Sequence, residues 1–542
     1  MRVKNRILLF CTALAALLPG CAAEQDPQPE ETAPFALTVC VGEQQDTLDP
    51  ALASAAGSET VLYHLYENLL CWEDGGTGWA SVTEGQAQRY TAETDGSGHT
   101  VYTFTLRSGA AWSDGKAVTG DDFVAAWQRL ADPATASPHR ELLSAVDGYQ
   151  DVQETGNRSL LGVEAPDPQT FTVRLAENCP WFLEEVCAGA YTMPVRTDLE
   201  ENEIGTVSNG IYTLTDRTGE YLRLERSATY YGLSDNGPEE IRFRTPGTPE
   251  EDFRRFEAGE LDLLSPLPDS ALAESEEDWL PVTAVYSAVM NTAAPPFDIP
   301  EVRQAFRLAV DPQFAVNALN TPSVRAAAGL IPGGVSDYGE RPEEENGYWD
   351  FRCHSLDKVT VPSEEDYAEN CRLAQRLMTQ AGYPNGEGFP PAEYLYVQSE
   401  TGGAVAQALR QMWYEQLGVQ VTLRGVTEEE YAALTAGVPE EAAYAIAAQM
   451  FAAPYSDAAP LLNLWRSGYR NAALELLLDA AASTPSADVR DAMLHDAEAL
   501  LLADGPVIPI YNPGTSFRLA GKWSGLYRRP NGICFLSGIT GS

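Results

Sequence analysis

Apolar and polar residues alternate from Phe35 to Val41, the period-two signature of a strand with one buried face, and a helical stripe follows at Val61, Leu65 and Leu69. Strand then helix opens an α/β body. Tyr102, Phe104 and Leu106 again repeat at period two, Asp114-Gly115 marks a turn, and Thr119 stands three residues before Asp122 at the head of a helix carrying Phe123, Trp127 and Leu130. A second box of this kind, Asp298 with Glu301, is expected to start the helix that buries Val302, Phe306 and Ala309. Two more amphipathic helices run through Cys371, Ala374 and Met378 to Gly382, and through Val405, Leu409, Met412 and Trp413 to Gly418. A glycine ends each of them. The stretch from Ser336 to Asp366 is rich in Glu, Asp, Gly and Pro, lacks a period, and reads as a long surface insertion. Late in the chain, Ala472 to Leu478 and Val489 to Leu502 read as paired helices, and Val507 to Tyr511 as a buried strand.

The first residues break with this pattern. Arg2, Lys4 and Arg6 precede an apolar run from Ile7 to Leu18, then Pro19-Gly20-Cys21. A spanning helix needs about 20 apolar residues, so residues 1–20 read as an export signal and not as a permanent anchor. Leu18-Pro19-Gly20-Cys21 resembles a bacterial lipobox, with Pro19 in place of the usual small residue, which implies that Cys21 is the lipidated first residue of the mature chain. Residues 21–34 then hold Pro27, Pro29 and Pro34 among acidic and amide side chains with almost nothing to bury. They read as a tether that reaches on the order of 40 Å when taut.

With 542 residues the chain is too long for one core, and about three domains are expected. A composition of 44% hydrophobic and 21% charged residues fits neither disorder nor a multi-span membrane protein. The formal charge of -44 repels phosphate backbones, so nucleic acid is excluded as a partner. Outside Cys11 and Cys21 the cysteines are Cys40, Cys71, Cys179, Cys187, Cys353, Cys371 and Cys534, an odd number that leaves at least one thiol unpaired. Cys179 with Cys187, and Cys353 with Cys371, are near enough in sequence to bridge, although spacing does not establish geometry. No CxxC or HExxH occurs, so buried or bridging cysteines are expected and a metal is not. Gly334-Val335-Ser336-Asp337 begins like a nucleophile elbow but ends in Tyr338, and Gly386-Glu387-Gly388 lacks the third glycine of a dinucleotide fingerprint. No catalytic residue and no cofactor is expected.

Several segments together resemble the solute-binding lipoproteins of oligopeptide and dipeptide ABC importers, the extracellular solute-binding family 5. They are Leu48-Asp49-Pro50 followed by Leu65-Tyr66-Glu67-Asn68-Leu69-Leu70, the run YTFTLRSGAAWSDGKAVTGDDFVAAWQRLADPATASP from Tyr102, Ser208-Asn209-Gly210-Ile211-Tyr212, Gly259-Glu260-Leu261-Asp262, NTAAPPFDIPEVRQAFRLAVD from Asn291, AGYPNGEGFP from Ala381, and GPVIPIY from Gly505. The resemblance implies a mixed α/β, two-lobed fold of the periplasmic-binding-protein type II class with an additional inserted domain. Lobe I would comprise residues 35–66, 206–287 and 511–542, the inserted domain 67–205, and lobe II 288–510. Two crossings between lobes would let them close on a ligand, so that a permease distinguishes loaded from empty protein. The implied function is capture of a peptide or peptide-like solute for an ABC permease and its ATPase subunits, by a monomeric, non-enzymatic protein held to the extracytoplasmic face of the membrane only by its lipid. A sensor or adhesin using the same cleft without transport is the competing reading.

The same resemblance implies ligand contacts from backbone groups of Ala55 and Ala56 and from His139, Tyr286, Gln398, Glu400, Glu428, Phe451 and Tyr455. Where the family carries an Ala-Asp-Tyr segment whose aspartate pairs with the ligand's amino group, this chain has Ala453-Pro454-Tyr455. Asp457 is then either the replacement anchor or a helix-capping acid. A basic residue shortly before that aspartate is Ala448 here. Loss of both charges implies a ligand other than a short free-ended peptide.

Overall fold

The computed structural model describes residues 35–542 apart from 43–44, 46, 77–79, 177–178, 197, 200–202, 233–236, 273–278, 333–334, 336–361, 436–443, 454–456, 465–468, 485, 530–531 and 542. The export segment, Cys21, the tether, Cys353, Pro454, Tyr455 and nearly all of the acidic insertion lie outside the described residues.

Local signals act largely as the pattern predicts. The strand Ala36–Val41 buries Leu37 and Val39, and Thr100–Leu106 buries Phe104 and Leu106. At the helix Gly120–Ala131 the Asp122 carboxylate accepts from the Thr119 N–H at 2.9 Å and from its hydroxyl at 3.0 Å, which ties the first turn to its cap. The helix Pro300–Leu308 corrects an expectation: its N-cap is Ile299, without a capping side chain, and Pro300 occupies the first turn. A proline there needs no N–H partner and already holds a helical φ, so entry does not depend on the Asp298 and Glu301 box. The helix Glu364–Gln380 likewise begins inside the stretch expected to be loop, because the Ser363 hydroxyl donates to Asp366 at 2.6 Å and accepts from its N–H at 3.2 Å. Leu69 is buried but lies beyond the helix Ala56–Leu65. Cys179 and Cys187 are both buried and do not form a bridge.

Among the described residues three larger sheets organise the chain. The first has six strands in the order Arg518–Leu519, Leu263–Ser265, Ala36–Val41, Glu240–Arg244, Tyr221–Arg226, Tyr212–Arg217, and Ala36–Val41 runs parallel to both of its neighbours. The second runs Trp279–Pro281, Val507–Ser516, Ala284–Met290, Ile446–Ala452, Ala392–Val397, Val421–Val426, with Val324–Ala326 paired beside Val507–Ser516. In it Ala392–Val397 is parallel to both neighbours. The third, antiparallel and four-stranded, is built from Ala87–Thr94, Thr100–Leu106, Thr170–Leu175 and Val163–Asp167.

The first and third sheets share one apolar core, which contains Leu37, Phe104, Trp112, Trp127, Phe243 and Phe535. A separate core joins the second sheet to its helices through Phe306, Tyr394 and Trp413, and a further cluster seats Ala458–Asn463, Ala472–Ser483 and Ala487–Asp504 against that sheet's other side. The chain passes between the two cores twice, from Leu263–Ser265 to Trp279–Pro281 and back from Val507–Ser516 to Arg518–Leu519. These crossings lie side by side, since Trp279, Leu280 and Pro281 pair antiparallel with Ser516, Thr515 and Gly514. The Trp279 ring covers Gly514 so closely that a Cβ there would lie 1.9 Å from the indole nitrogen. Glycine is therefore required at that point of the joint.

Candidate functional site

In open α/β sheets ligands bind in the crevice outside the carboxyl ends of parallel strands. Here both large sheets supply such ends. The first presents Val41, Arg244 and Ser265, and the second presents Val397, Val426 and Ala452. The crossing strands join the two.

On the first sheet the ends frame a cavity of about 500 Å³ whose walls include Gly42, Pro246, Pro249, Leu264, Pro266 and, from the crossing strand, Thr515. Its thiol and its carboxylate are already paired. The Cys40 thiol donates to the Asp252 carboxylate at 3.6 Å, and Asp252 also accepts from the Gly247 N–H at 2.7 Å and pairs with Arg255 at 2.9 Å. Burial, with the Asp252 charge adding, pushes the Cys40 thiol up to about 12, so it stays protonated and is not an activated nucleophile. This cavity was not among the expected contacts. The apolar run Leu263-Leu264, stopped by Ser265-Pro266, is the sequence signal of a strand's carboxyl end that could have pointed to it.

Ala55 caps the helix Ala56–Leu65, its carbonyl accepting from the Ser58 N–H at 2.9 Å and the Glu59 N–H at 3.3 Å. His139 lies against the same turn. Its Nε2 is 2.7 Å from the Ala53 carbonyl, and its ring stacks on Tyr191 with centroids 3.5 Å apart and planes 8° apart. The Tyr191 hydroxyl donates to Glu59 at 3.0 Å, and Glu59 faces Arg529 at 3.6 Å. Arg529 in turn pairs with Glu185 at 2.7 Å, donates to the Tyr63 hydroxyl at 2.8 Å, and lies over the Trp72 ring at 4.4 Å. Burial pushes the Glu59 carboxyl up, and the Arg529 charge works against that push. Tyr191, Glu59 and Arg529 were missed in the sequence because their partners are far away along the chain.

The second sheet carries Tyr286 and Phe451 on opposite faces, and Gln398, Glu400 and Glu428 follow the carboxyl ends of its strands Ala392–Val397 and Val421–Val426. Tyr286 stacks on Tyr511 with centroids 4.7 Å apart and planes 9° apart. Gln398 is exposed and its N–H donates to the Val426 carbonyl at 2.8 Å. Glu400 is the exposed first residue of the helix Glu400–Leu417, and Glu428 that of Glu428–Thr435. Phe451, 6% exposed, packs in the core beneath the strand, cross-strand from Val285. Ala448 is buried, and its carbonyl accepts from the Tyr431 hydroxyl.

Asp457 is a buried helix cap. It caps the helix Ala458–Asn463, accepting from the Ala459 N–H at 2.6 Å, and both of its oxygens meet Arg490 Nη2, at 2.8 and 2.9 Å, with the residue 1% exposed. Burial pushes its carboxyl up to about 7, and the charges of Glu185 and Glu184, on the segment Phe182–Cys187, push the same way. Among the described residues no group of three or more His, Cys, Asp or Glu is arranged to hold a metal, and no helix is long and apolar enough to cross a membrane.

Comparison with known proteins matches this architecture. The chain is 28% identical over 493 residues to a probable deoxycholate-binding periplasmic protein of Escherichia coli, covering 86% of this chain and 85% of that one. It is 26% identical over 556 residues to the periplasmic oligopeptide-binding protein OppA of the same organism, covering 97% and 96%. Among solved structures, the unliganded open form of the periplasmic murein tripeptide-binding protein MppA superposes with a TM-score of 0.79 at 23% identity, covering 94% of this chain and 98% of that one. The model of the bacterial extracellular solute-binding proteins, family 5 middle, matches residues 82–473, and this chain, with its two sheets joined by a double crossing, belongs to that family.

Proposed function

We propose that this protein captures a peptide or peptide-like solute between its two lobes outside the cytoplasmic membrane and delivers it unaltered to an ABC permease with its ATPase subunits. The observation that carries this reading is that two sheets, each with parallel strand ends, are joined by two adjacent crossings, an arrangement that would let the lobes rotate about Trp279–Pro281 and Gly514–Ser516. An engulfed peptide brings backbone N–H and C=O groups out of water, and each one left unpaired costs about 1–3 kcal/mol. Strand ends offer backbone partners of that kind. Tyr286, Gln398, Glu400 and Glu428 would supply side-chain contacts, whereas His139 would reach a ligand only by giving up the Ala53 carbonyl, and Asp457 only by giving up Arg490. Relatives named for oligopeptides and for deoxycholate support a cleft that does not depend on a ligand's free amino terminus.

Mass spectrometry of solutes released from the purified protein by denaturation should return an intact peptide or peptide-like molecule. X-ray scattering should then give a smaller radius of gyration when that molecule is added back. Identical dimensions with and without it would sink the hinge.

Cys21 is proposed to carry the lipid, with residues 22–34 as tether. Cys21→Ala is expected to release the protein to the medium or leave it unprocessed, as read by fractionation. Unchanged membrane retention would count against the anchor.

A further inference from the structure

We infer that Met450 and Tyr286 form an apolar seat in the cleft wall that takes an aliphatic or aromatic group of the solute, so that the ligand class is peptide-like molecules bearing a bulky nonpolar group. This rests on, and narrows, the capture proposed above. Ile446–Ala452 is an interior strand, flanked by Ala284–Met290 and Ala392–Val397. One of its faces carries Ile446, Ala448 and Met450. Ile446 and Ala448 are buried under the helices that hold Phe306 and Trp413, but Met450, at the carboxyl end, is 45% exposed. Burial along that face thus stops where the crevice begins.

Single exposed apolar residues are ordinary on outer helices, as with Leu476 at 71% on Ala472–Ser483. An interior strand is different, because its side chains are covered by whatever layer packs on the sheet. Met450 lies directly across from Tyr286, whose ring is held flat against the buried Tyr511. A fixed aromatic floor beside a flexible, polarizable thioether accepts varied nonpolar shapes. The first sheet's strand ends agree in character: the cavity there is walled largely by Pro246, Pro249, Leu264 and Pro266, and its acid, Asp252, is paired with Arg255. In a chain of formal charge -44, nonpolar walls on both sides of the joint point to a nonpolar guest.

The test uses two blocked, uncharged probes, N-acetyl-trileucine amide and N-acetyl-triserine amide, titrated calorimetrically into the full-length protein and into Met450→Ser and Met450→Leu. Wild type should bind the leucine probe about tenfold or more tighter than the serine probe. Met450→Ser should lose about tenfold for the leucine probe and leave the serine probe unchanged, while Met450→Leu retains the preference. Equal affinity of wild type for both probes, or a Met450→Ser protein that binds the leucine probe like wild type, overturns the seat and leaves capture standing. If wild type binds neither probe and retains no solute, the capture reading falls and the seat with it.

Discussion

Arg529→Ala should cost about 3–5 kcal/mol of stability, because it removes one partner of a buried ionic cluster and leaves the others uncompensated. Arg529 is 3% exposed, pairs with Glu185, donates to Tyr63 and covers the Trp72 ring. Without its charge, Glu59 and Glu185 face each other in a medium that cannot screen them. Burial already pushes the Glu59 carboxyl up, so the variant should lose less at acid pH, where Glu59 keeps its proton. Urea unfolding at pH 5 and pH 7.5 measures both effects. Arg529→Met combined with Glu59→Gln and Glu185→Gln removes the charges together and should recover much of the loss. A single variant within 1 kcal/mol of wild type would mean that water reaches the cluster.

Two buried groups near the same helix should pull stability in opposite directions with pH. Burial pushes the Glu67 carboxyl up from 4.5 to about 7, although Tyr230, Tyr231 and Gln86 all donate to it. Between those values the folded state holds a proton that the unfolded chain has released. The stability from Glu67 is thus complete below pH 4.5 and is lost as pH rises through 7. Burial drives His64 the other way, from 6.5 down to about 4. Its Nδ1 donates to the Thr60 carbonyl at 2.7 Å and its Nε2 accepts from the Leu536 N–H at 3.0 Å, an arrangement that requires the neutral ring. Its contribution is complete above pH 6.5 and is lost as pH falls through 4. Each amounts to about 3 kcal/mol, and in the shared window they offset one another. Relative to wild type, Glu67→Gln should gain about 3 kcal/mol between pH 4.5 and 7, and His64→Gln should lose about as much between pH 4 and 6.5. Parallel urea titrations of the three proteins would expose either assignment as wrong if a variant tracks wild type across its window.

How much of this was legible along the chain depends on the range of the interaction concerned. Asp122 and Thr119 are three residues apart, so their box is a local fact. Asp298 and Glu301 have the same spacing, but Pro300 between them starts the helix by another route. The acid at Asp457 could be read as a cap, and it is one, yet nothing near it in sequence announces Arg490, which arrives from the next helix but one. Likewise the His139 ring was a candidate contact, but its commitment to the Ala53 carbonyl and to Tyr191 depends on segments that only folding brings together. Cys179 and Cys187 were close enough to bridge, and the thiols nonetheless stay separate in a tightly packed segment.

By itself the sequence determined most of the elements that repeat at 2 or 3.6 residues and the strongly acidic balance of the chain. It also carried the family, through runs such as that from Tyr102 to Pro138. The tertiary structure alone decided where a ligand can go. Ala36–Val41 finds its two parallel neighbours about 200 residues later, and the crossings pair Trp279–Pro281 with a strand more than 200 residues further on. Such pairings are chosen by burial of whole faces against one another, and a face has no address in the local pattern. The crevice, the cavity at its edge and the exposure of Met450 all follow from that choice.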